Sequence, residues 1–302
     1  MSWELLADED VWSTPYATVV ESMARALAEH AAGTLVAPPR WTVDVDDDTG
    51  ARLVFTAGAA KDSGVFGFRV YETFPERTGD HQQLVAVWDG DDGRFRGLCV
   101  GHAVGVLRTG GLGGVAVDAL ARPDATTVGV LGSGPQARAQ LEAIAVVRDL
   151  DTIRVHSPTP ANRESFATTL DGRLDADVEA VGDPESAVRD VDVLVCATNS
   201  TEPVFEADWL EDGVHVSTLG PKFEGAHELP LAVVDRADAL VTDSRRQIES
   251  YSRPFFVDVD EVAELSAVLD DRASGRTDDG DVTLYCSVGL AGTEVVLADE
   301  LL

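Results

Sequence analysis

The stretch TTVGVLGSGPQARAQ, residues 126–140, decides how the rest of the chain is read. An apolar run at 128–131 meets Gly132-Ser133-Gly134, and a helix-forming segment follows at once. Gly132-x-Gly134-x-x-Ala137 fits the G-x-G-x-x-G/A pattern. In that pattern the first glycine allows a tight turn and the second lets backbone approach a pyrophosphate. The small third residue lets helix and strand pack closely, and the helix N-terminus favours phosphate charge. Glycines also make ordinary strand-to-helix turns, so the match draws its weight from its surroundings. Strand-like runs rich in Val, Ile and Leu recur near 127–131, 152–156, 178–181, 193–197, 215–219 and 239–242, with helical or polar segments between them. That alternation predicts a parallel sheet covered on both faces. The fold class is therefore α/β, a Rossmann doubly wound sheet that binds a dinucleotide. Its expected cofactor contacts are Gly132, Ser133, Gly134, Pro135, Gln136 and Ala137 in the loop. Ala197, Thr198 and Asn199 join them at the end of the fourth strand, where open α/β sheets place ligands.

The second strand, 152–156, runs into Ser157, with Thr159, Asn162 and Arg163 beyond it. An NAD site usually carries Asp or Glu here for the ribose 2′-hydroxyl; this chain has none. A hydroxyl with an arginine nearby suits a 2′-phosphate. NADP(H) is favoured on this reading and NAD(H) remains possible, since Arg163 reads nearly as well as a solvated residue at a helix start.

Upstream of the loop the pattern is different. Residues 15–32 carry apolar residues at helical spacing. Residues 41–55 and 84–100 alternate around Asp- and Gly-rich turns and predict two hairpins. Between them VFGFRVYETF alternates with Phe66, Phe68 and Val70 facing one way and Arg69 and Tyr71 the other. Residues 102–121 read as a helix loosened by glycines. Residues 1–121 are thus an α+β domain with a mainly antiparallel sheet, and ARPDAT at 121–126 marks a boundary. Residues 122–282 form the dinucleotide domain, and the tail 283–302 is expected to return to the first.

Composition narrows the function. Fifty-four acidic residues stand against 23 basic ones, a net charge of −31, and only Lys61 and Lys222 are lysines. A field this negative repels nucleic acid and anionic membrane. The acid runs, such as 44–48 and 278–281, are short and scattered. They fit a solvated shell on a halophile's cytoplasmic protein rather than an acidic tail. Cys99, Cys196 and Cys286 lack CxxC spacing, which fits reduced thiols. No basic region precedes an apolar stretch at the N-terminus, so no signal peptide is expected. No apolar run is long enough to predict a membrane span. The six histidines show neither HxH nor HExxH spacing, so no metal is expected.

Several segments, in order, carry a resemblance. PPR at 38–40, GFRVYETFP at 67–75, VLRTGG at 106–111 and VGVLGSGPQARAQLEAI at 128–144 come first. VDVLVCATNSTEPVF at 191–205, GVHVSTLG at 213–220, HEL at 227–229 and LYCSVGLA at 284–291 follow. Together they resemble the ornithine cyclodeaminase/mu-crystallin family over nearly the whole chain. The resemblance implies hydride transfer between nicotinamide C4 and the Cα of an amino acid or its imine. It also implies an N-terminal substrate and dimerisation domain, hence a homodimer, which would cover sheet edges.

By the same resemblance Arg40, Arg69 and Arg108 clamp the substrate carboxylate. Guanidinium forks suit that task, and a fixed carboxylate sets the hydride trajectory. Arg69 stands where the family usually has lysine, so it is read as a binder rather than a base. Gly289, with Ser287 and Leu290, flanks the nicotinamide if the tail returns to the site. The catalytic candidates are Lys222, His227 and Glu228. Lys222 could protonate an imine or keto group, hold a second carboxylate, or be a solvated loop lysine. His227 and His102 read as acid–base groups or as structural histidines. The sequence also departs from the family. The acid that cyclodeaminases place in this loop is Pro221 or Lys222 here, and a second family acid is absent from VFTAGAA at 54–60. Glu224 or Glu228 would have to substitute. An amino-acid dehydrogenase or imine reductase is therefore favoured. An ornithine cyclodeaminase, converting L-ornithine to L-proline and ammonia, is the alternative; a non-catalytic NADPH-binding protein is the third reading.

Overall fold

Short strands of Val, Leu, Ile and Cys, each followed by a turn into a helix or loop, assemble into one wholly parallel sheet. In the computed structural model, which describes residues 3–46, 48–74 and 82–302, this sheet has eight strands. Asp47 of the 44–48 acid run and Pro75 of the 67–75 motif lie outside the described residues. The strand order is Asp177–Ala180, Thr152–His156, Thr127–Leu131, Val193–Cys196, His215–Thr218, Thr283–Cys286, Ala239–Thr242 and Ala263–Glu264. The sheet separates two apolar layers because successive side chains point to opposite faces. Val193 and Val195 join Val128, Val130, Leu141 and Ile144 on one side. Leu194 and Cys196 join Val216, Leu229, Val233 and Leu284 on the other. Helix Pro135–Val147 covers the first layer with Leu141 and Ile144, both fully buried, each worth ~1.5–3 kcal/mol of burial. This sheet belongs to a compact unit spanning Leu112–Val288.

The other unit comprises Met1–Gly111 and Gly289–Leu302. Its sheet runs Glu4–Ala7, Phe95–Val100, Gln83–Asp89, Val65–Thr73, Ala51–Ala60 and Leu35–Val36, with Trp41–Asp46 also paired to Ala51–Ala60. All pairs are antiparallel except Glu4–Ala7 with Phe95–Val100. Helix Tyr16–Ala32 buries Val19, Met23, Ala26 and Leu27, the three- and four-residue spacing that defines one helical face. Helix Thr293–Leu301 packs against this helix and against the four interior strands of the sheet. Strand Val65–Thr73 alternates as the sequence predicts, and its arginine side is the buried one: Val65, Gly67 and Arg69 point inward. Phe66 and Phe68 lie on the opposite face with Trp88, Phe95 and Trp3.

Two expectations of organisation change. Strand Thr283–Cys286 does not return to the first unit; it lies between His215–Thr218 and Ala239–Thr242. All four of its residues are buried, and a parallel ladder on each edge satisfies its backbone. Only the chain from Gly289 onward joins the first unit. The division between units falls at Gly111/Leu112, inside the continuous helix Ala103–Leu120, rather than at 121–126. That helix is long and apolar enough to cross a membrane by composition, but 83% of it is buried in the protein, as in a core helix. The three cysteines are free and buried. Among the described residues no three His, Cys, Asp or Glu side chains gather as a metal site would require.

Candidate functional site

The parallel sheet reverses its strand order between Thr127–Leu131 and Val193–Cys196. A crevice for ligands opens at the carboxyl ends of strands at such a point. Gly132 follows the first of these strands with φ +120°, and a Cβ there would run into the Ala197 carbonyl oxygen. Gly134 is the extended N-cap of helix Pro135–Val147, with open space where a side chain would stand. Pro135 takes the first helical position, where its missing N–H is no loss. Ala137 is fully buried beneath the turn. The Gln136 Oε1 is buried without a hydrogen-bond partner, so it offers an acceptor to a ligand's hydroxyl or amide. Ser133 Oγ lies 3.0 Å from Ser157 Oγ, and Arg163 Nη1 donates to the Ser157 carbonyl at 2.9 Å. Thr159 is the exposed N-cap of the next helix, its hydroxyl not engaged in capping. The bare turn, the helix N-terminus and the Ser133–Ser157–Arg163 group fit a dinucleotide. Ala197 and Thr198 follow the neighbouring strand Val193–Cys196, and Asn199 is exposed beyond them.

Glu228, expected among the acid–base candidates, is placed otherwise. It is fully buried. Its Oε1 accepts from Thr218 Oγ1 at 2.7 Å, Leu219 N at 3.0 Å and Gly220 N at 2.5 Å. Its Oε2 accepts from Thr198 N and Thr198 Oγ1, each at 2.8 Å. Five donors leave this carboxylate no capacity for a substrate proton. It clamps the ends of two adjacent strands.

Lys222 is not a solvated loop lysine: it is 5% exposed and its Nζ donates to the Gly220 carbonyl at 2.5 Å. Burial pushes the Cys286 thiol up to about 12, and the Lys222 charge works against that rise. The ammonium therefore sits near the strand ends of this sheet. His227 pairs with Lys222 across a two-stranded ribbon. Its Nδ1 is 2.7 Å from the Leu229 carbonyl; a carbonyl only accepts, so Nδ1 donates there and Nε2 is the ring nitrogen left to take up or release a proton. Glu224 is exposed in the turn of the ribbon. His102 pairs with Asp8 through Nδ1 at 2.7 Å and meets the Trp12 ring edge-on. Ser287 donates its N–H to the Thr218 carbonyl at 3.1 Å.

The three arginines meet in the other unit. Arg69 is buried on its strand; its Nε donates to Gln83 Oε1 at 2.8 Å and its Nη1 to Glu294 Oε1 at 3.1 Å. Its guanidinium carbon lies 4.4 Å from the centre of the Tyr71 ring. Arg108, from helix Ala103–Leu120, reaches the same Glu294 oxygen through Nη2 at 3.4 Å. Its Nε and Nη1 are buried with no hydrogen-bond partner. Gly289 adopts φ +93°; a Cβ there would stand 2.9 Å from Arg40 Nη2 and 3.1 Å from Arg108 Nη1. The absence of a side chain at Gly289 thus lets two guanidinium groups converge. Burial raises the Glu294 pKa, but Arg108 and Arg69 outweigh it and hold it below the ordinary value, so the group is ionised. Burial lowers that of Arg69 against the opposing pull of Glu294. Leu290 is buried in the same unit.

Glu294 and Gln83 escaped the sequence reading. A carboxylate embedded in the run 293–298, TEVVLA, was the available signal, since an acid buried in an apolar helix needs a partner. Two buried, unpartnered donors on a cation that cannot lose its charge call for an anionic acceptor.

The ornithine cyclodeaminase/mu-crystallin family model matches residues 9–301. The chain belongs to that family. It is 28% identical over 295 residues to the Delta(1)-pyrroline-2-carboxylate reductase of Bacillus cereus, covering 94% of this chain and 90% of that one. It is 25% identical over 218 residues to the mouse ketimine reductase mu-crystallin, covering 72% and 68%. Among solved structures, the Thermococcus litoralis Delta(1)-pyrroline-2-carboxylate reductase in complex with NADH and L-proline superimposes with a TM-score of 0.90 at 27% identity. That match covers 98% of this chain and 95% of that one. These relatives are reductases, in agreement with hydride-transfer chemistry.

Proposed function

We propose that this family member is an NAD(P)-dependent oxidoreductase that reduces an imino acid, or oxidises the corresponding amino acid, at Cα. The observation that carries the reading is Arg108, buried beside Arg40 and Arg69 with two donors unpartnered. Arg108 offers an unpartnered donor to the carboxylate, and Arg69, held by Gln83 and Glu294, adds a second guanidinium. A carboxylate fixed in this way places Cα and its nitrogen with little freedom, which is where rate is gained. Bound nicotinamide supplies or accepts the hydride. A proton must reach the nitrogen as hydride reaches Cα, and we assign it to Lys222 or to Nε2 of His227, both outside the Glu228 clamp. Loss of the family's loop acid removes the group that would deprotonate a second amine, so a reductase or dehydrogenase is favoured over a cyclodeaminase.

The finer assignments rest on separate features. Ser157, Thr159 and Arg163, with no acid after the second strand, support NADP(H) over NAD(H). The outer sheet face, with Trp3 55%, Phe66 40% and Leu84 39% exposed around Trp88 and Phe95, supports a homodimer formed through this face. Free buried thiols are consistent with a cytoplasmic protein.

The test is turnover in molar KCl with L-proline, L-alanine, L-ornithine, pyruvate plus ammonium, and pyrroline-2-carboxylate, each with both cofactors. Reduced nicotinamide and ammonia are followed. Net cofactor turnover is expected. Ammonia from L-ornithine without net cofactor change would replace the reading with a cyclodeaminase; cofactor binding with no turnover on any acid would leave a binding protein.

A further inference from the structure

We infer that the hydroxyl of Thr56 is a direct contact to the substrate carboxylate, a third donor beside the guanidinium groups of Arg69 and Arg108. The inference rests on the carboxylate-clamp reading above. Thr56 lies on strand Ala51–Ala60, directly opposite Arg69 in the antiparallel register. Opposed residues in such a pair point to the same face with Cβ atoms ~4.5–5.5 Å apart. The residue is 4% exposed, and its Oγ1 is buried without a hydrogen-bond partner. A threonine here is therefore a cost to the free protein: an unsatisfied buried hydroxyl opposes folding, whereas valine has the same shape without the polar atom. Two buried Arg108 nitrogens share this lack of partner. One anion seated on Arg69 and Arg108 would give both the Thr56 hydroxyl and an Arg108 donor the acceptor each lacks. A carboxylate has about four acceptor sites, so it can take the hydroxyl as well as the guanidinium forks.

The experiment compares wild type with Thr56→Val and Thr56→Ser. It measures steady-state kinetics on whichever acids turn over, the thermal shift given by L-proline in the presence of cofactor, and cofactor affinity. Thr56→Val is expected to raise KM and the L-proline dissociation constant about tenfold or more, the loss of one bond to a charged acceptor. Cofactor affinity should stay unchanged, and the melting temperature without ligand should stay level or rise. Thr56→Ser should restore carboxylate affinity to within a few-fold of wild type. An unchanged KM and L-proline affinity in Thr56→Val overturns the inference. So does a loss confined to acids of one side chain, because the contact would then be to the side chain. A fall in the ligand-free melting temperature, unrepaired by serine, would show a packing role instead. If L-proline and the other acids bind without turnover and Thr56→Val abolishes that binding, the hydride-transfer reading falls and the contact stands. Failure of wild type to bind any of these acids overturns both.

Discussion

Replacing Glu228 by glutamine separates a clamp from a catalytic acid. The carboxylate accepts five hydrogen bonds, three on one oxygen and two on the other. Glutamine keeps one oxygen and puts an NH2 in place of the other. The milder choice turns the NH2 toward Thr198, whose hydroxyl can rotate to accept while its backbone N–H is stranded. Stranding one buried donor costs ~1–3 kcal/mol, and the three bonds left on the amide oxygen each weaken by ~0.5–1 kcal/mol without the charge. Relief from burying a charge offsets part of this. The net expectation is a loss of about 3 kcal/mol in unfolding free energy, of the size found when a buried network is broken. The consequence reaches the cofactor, because Thr198 and Gly220 follow the two strands that the clamp joins. Nicotinamide nucleotide affinity should fall at least tenfold. Urea unfolding in molar KCl and a tryptophan-fluorescence titration with NADH and NADPH measure the two effects. A variant with wild-type stability and cofactor affinity but no turnover would refute the clamp and return Glu228 to the reacting groups.

Glu294→Gln leaves Arg69 and Arg108 buried without their shared counter-charge. It should destabilise by ~3–5 kcal/mol, read by calorimetry, with part of the loss recovered when L-proline or acetate is added. Gly289→Ala places a methyl against Arg40 and Arg108 at a left-handed φ. Steady-state kinetics should show KM for the acid raised more than tenfold with cofactor affinity unchanged. Burial first, then Arg276 and Arg148, depress the pKa of His215 to about 3 from its ordinary 6.5. The unfolded chain then takes up the proton first, so the stability that neutral His215 confers is complete above pH 6.5 and drains away toward pH 3. Unfolding of His215→Gln across that window should show a shallower acid slope than wild type; equal slopes would refute the assignment.

Much of this architecture could be read from residue pattern because local chemistry and fold agree. Each parallel strand of the nucleotide unit carries its own run of Val, Ile or Leu, and the turn after the first needs glycine for backbone reasons that a sequence displays. Where two solutions share one local pattern, sequence reasoning stops. Alternation along residues 65–74 marks two faces but not which is covered, and the aromatic face proved the more open one. Strand Thr283–Cys286 looks like any apolar strand; only the two ladders it completes say which sheet it serves. Lys222 and Glu228 sit in one short loop with the same titratable look, yet the structure gives Glu228 five donors. Glu294 is separated from Arg69 by 225 positions, so no local signal pairs them. The three arginines proposed for the clamp were named through family resemblance, whereas the unpartnered nitrogens of Arg108 belong to the three-dimensional arrangement alone.

The placement of the last strand also has a consequence for how the chain comes off the ribosome. Strand Thr283–Cys286 fills an interior slot of the parallel sheet, and Glu294 neutralises two arginines made long before it. Until residues 283–294 emerge, one unit has a gap between His215–Thr218 and Ala239–Thr242, and the other carries bare cations in its core. Neither can mature during synthesis of its own segment. Folding of both is therefore held back until residues 283–294 are made, so a frameshift or early stop ahead of Glu294 disables both units rather than trimming a dispensable segment.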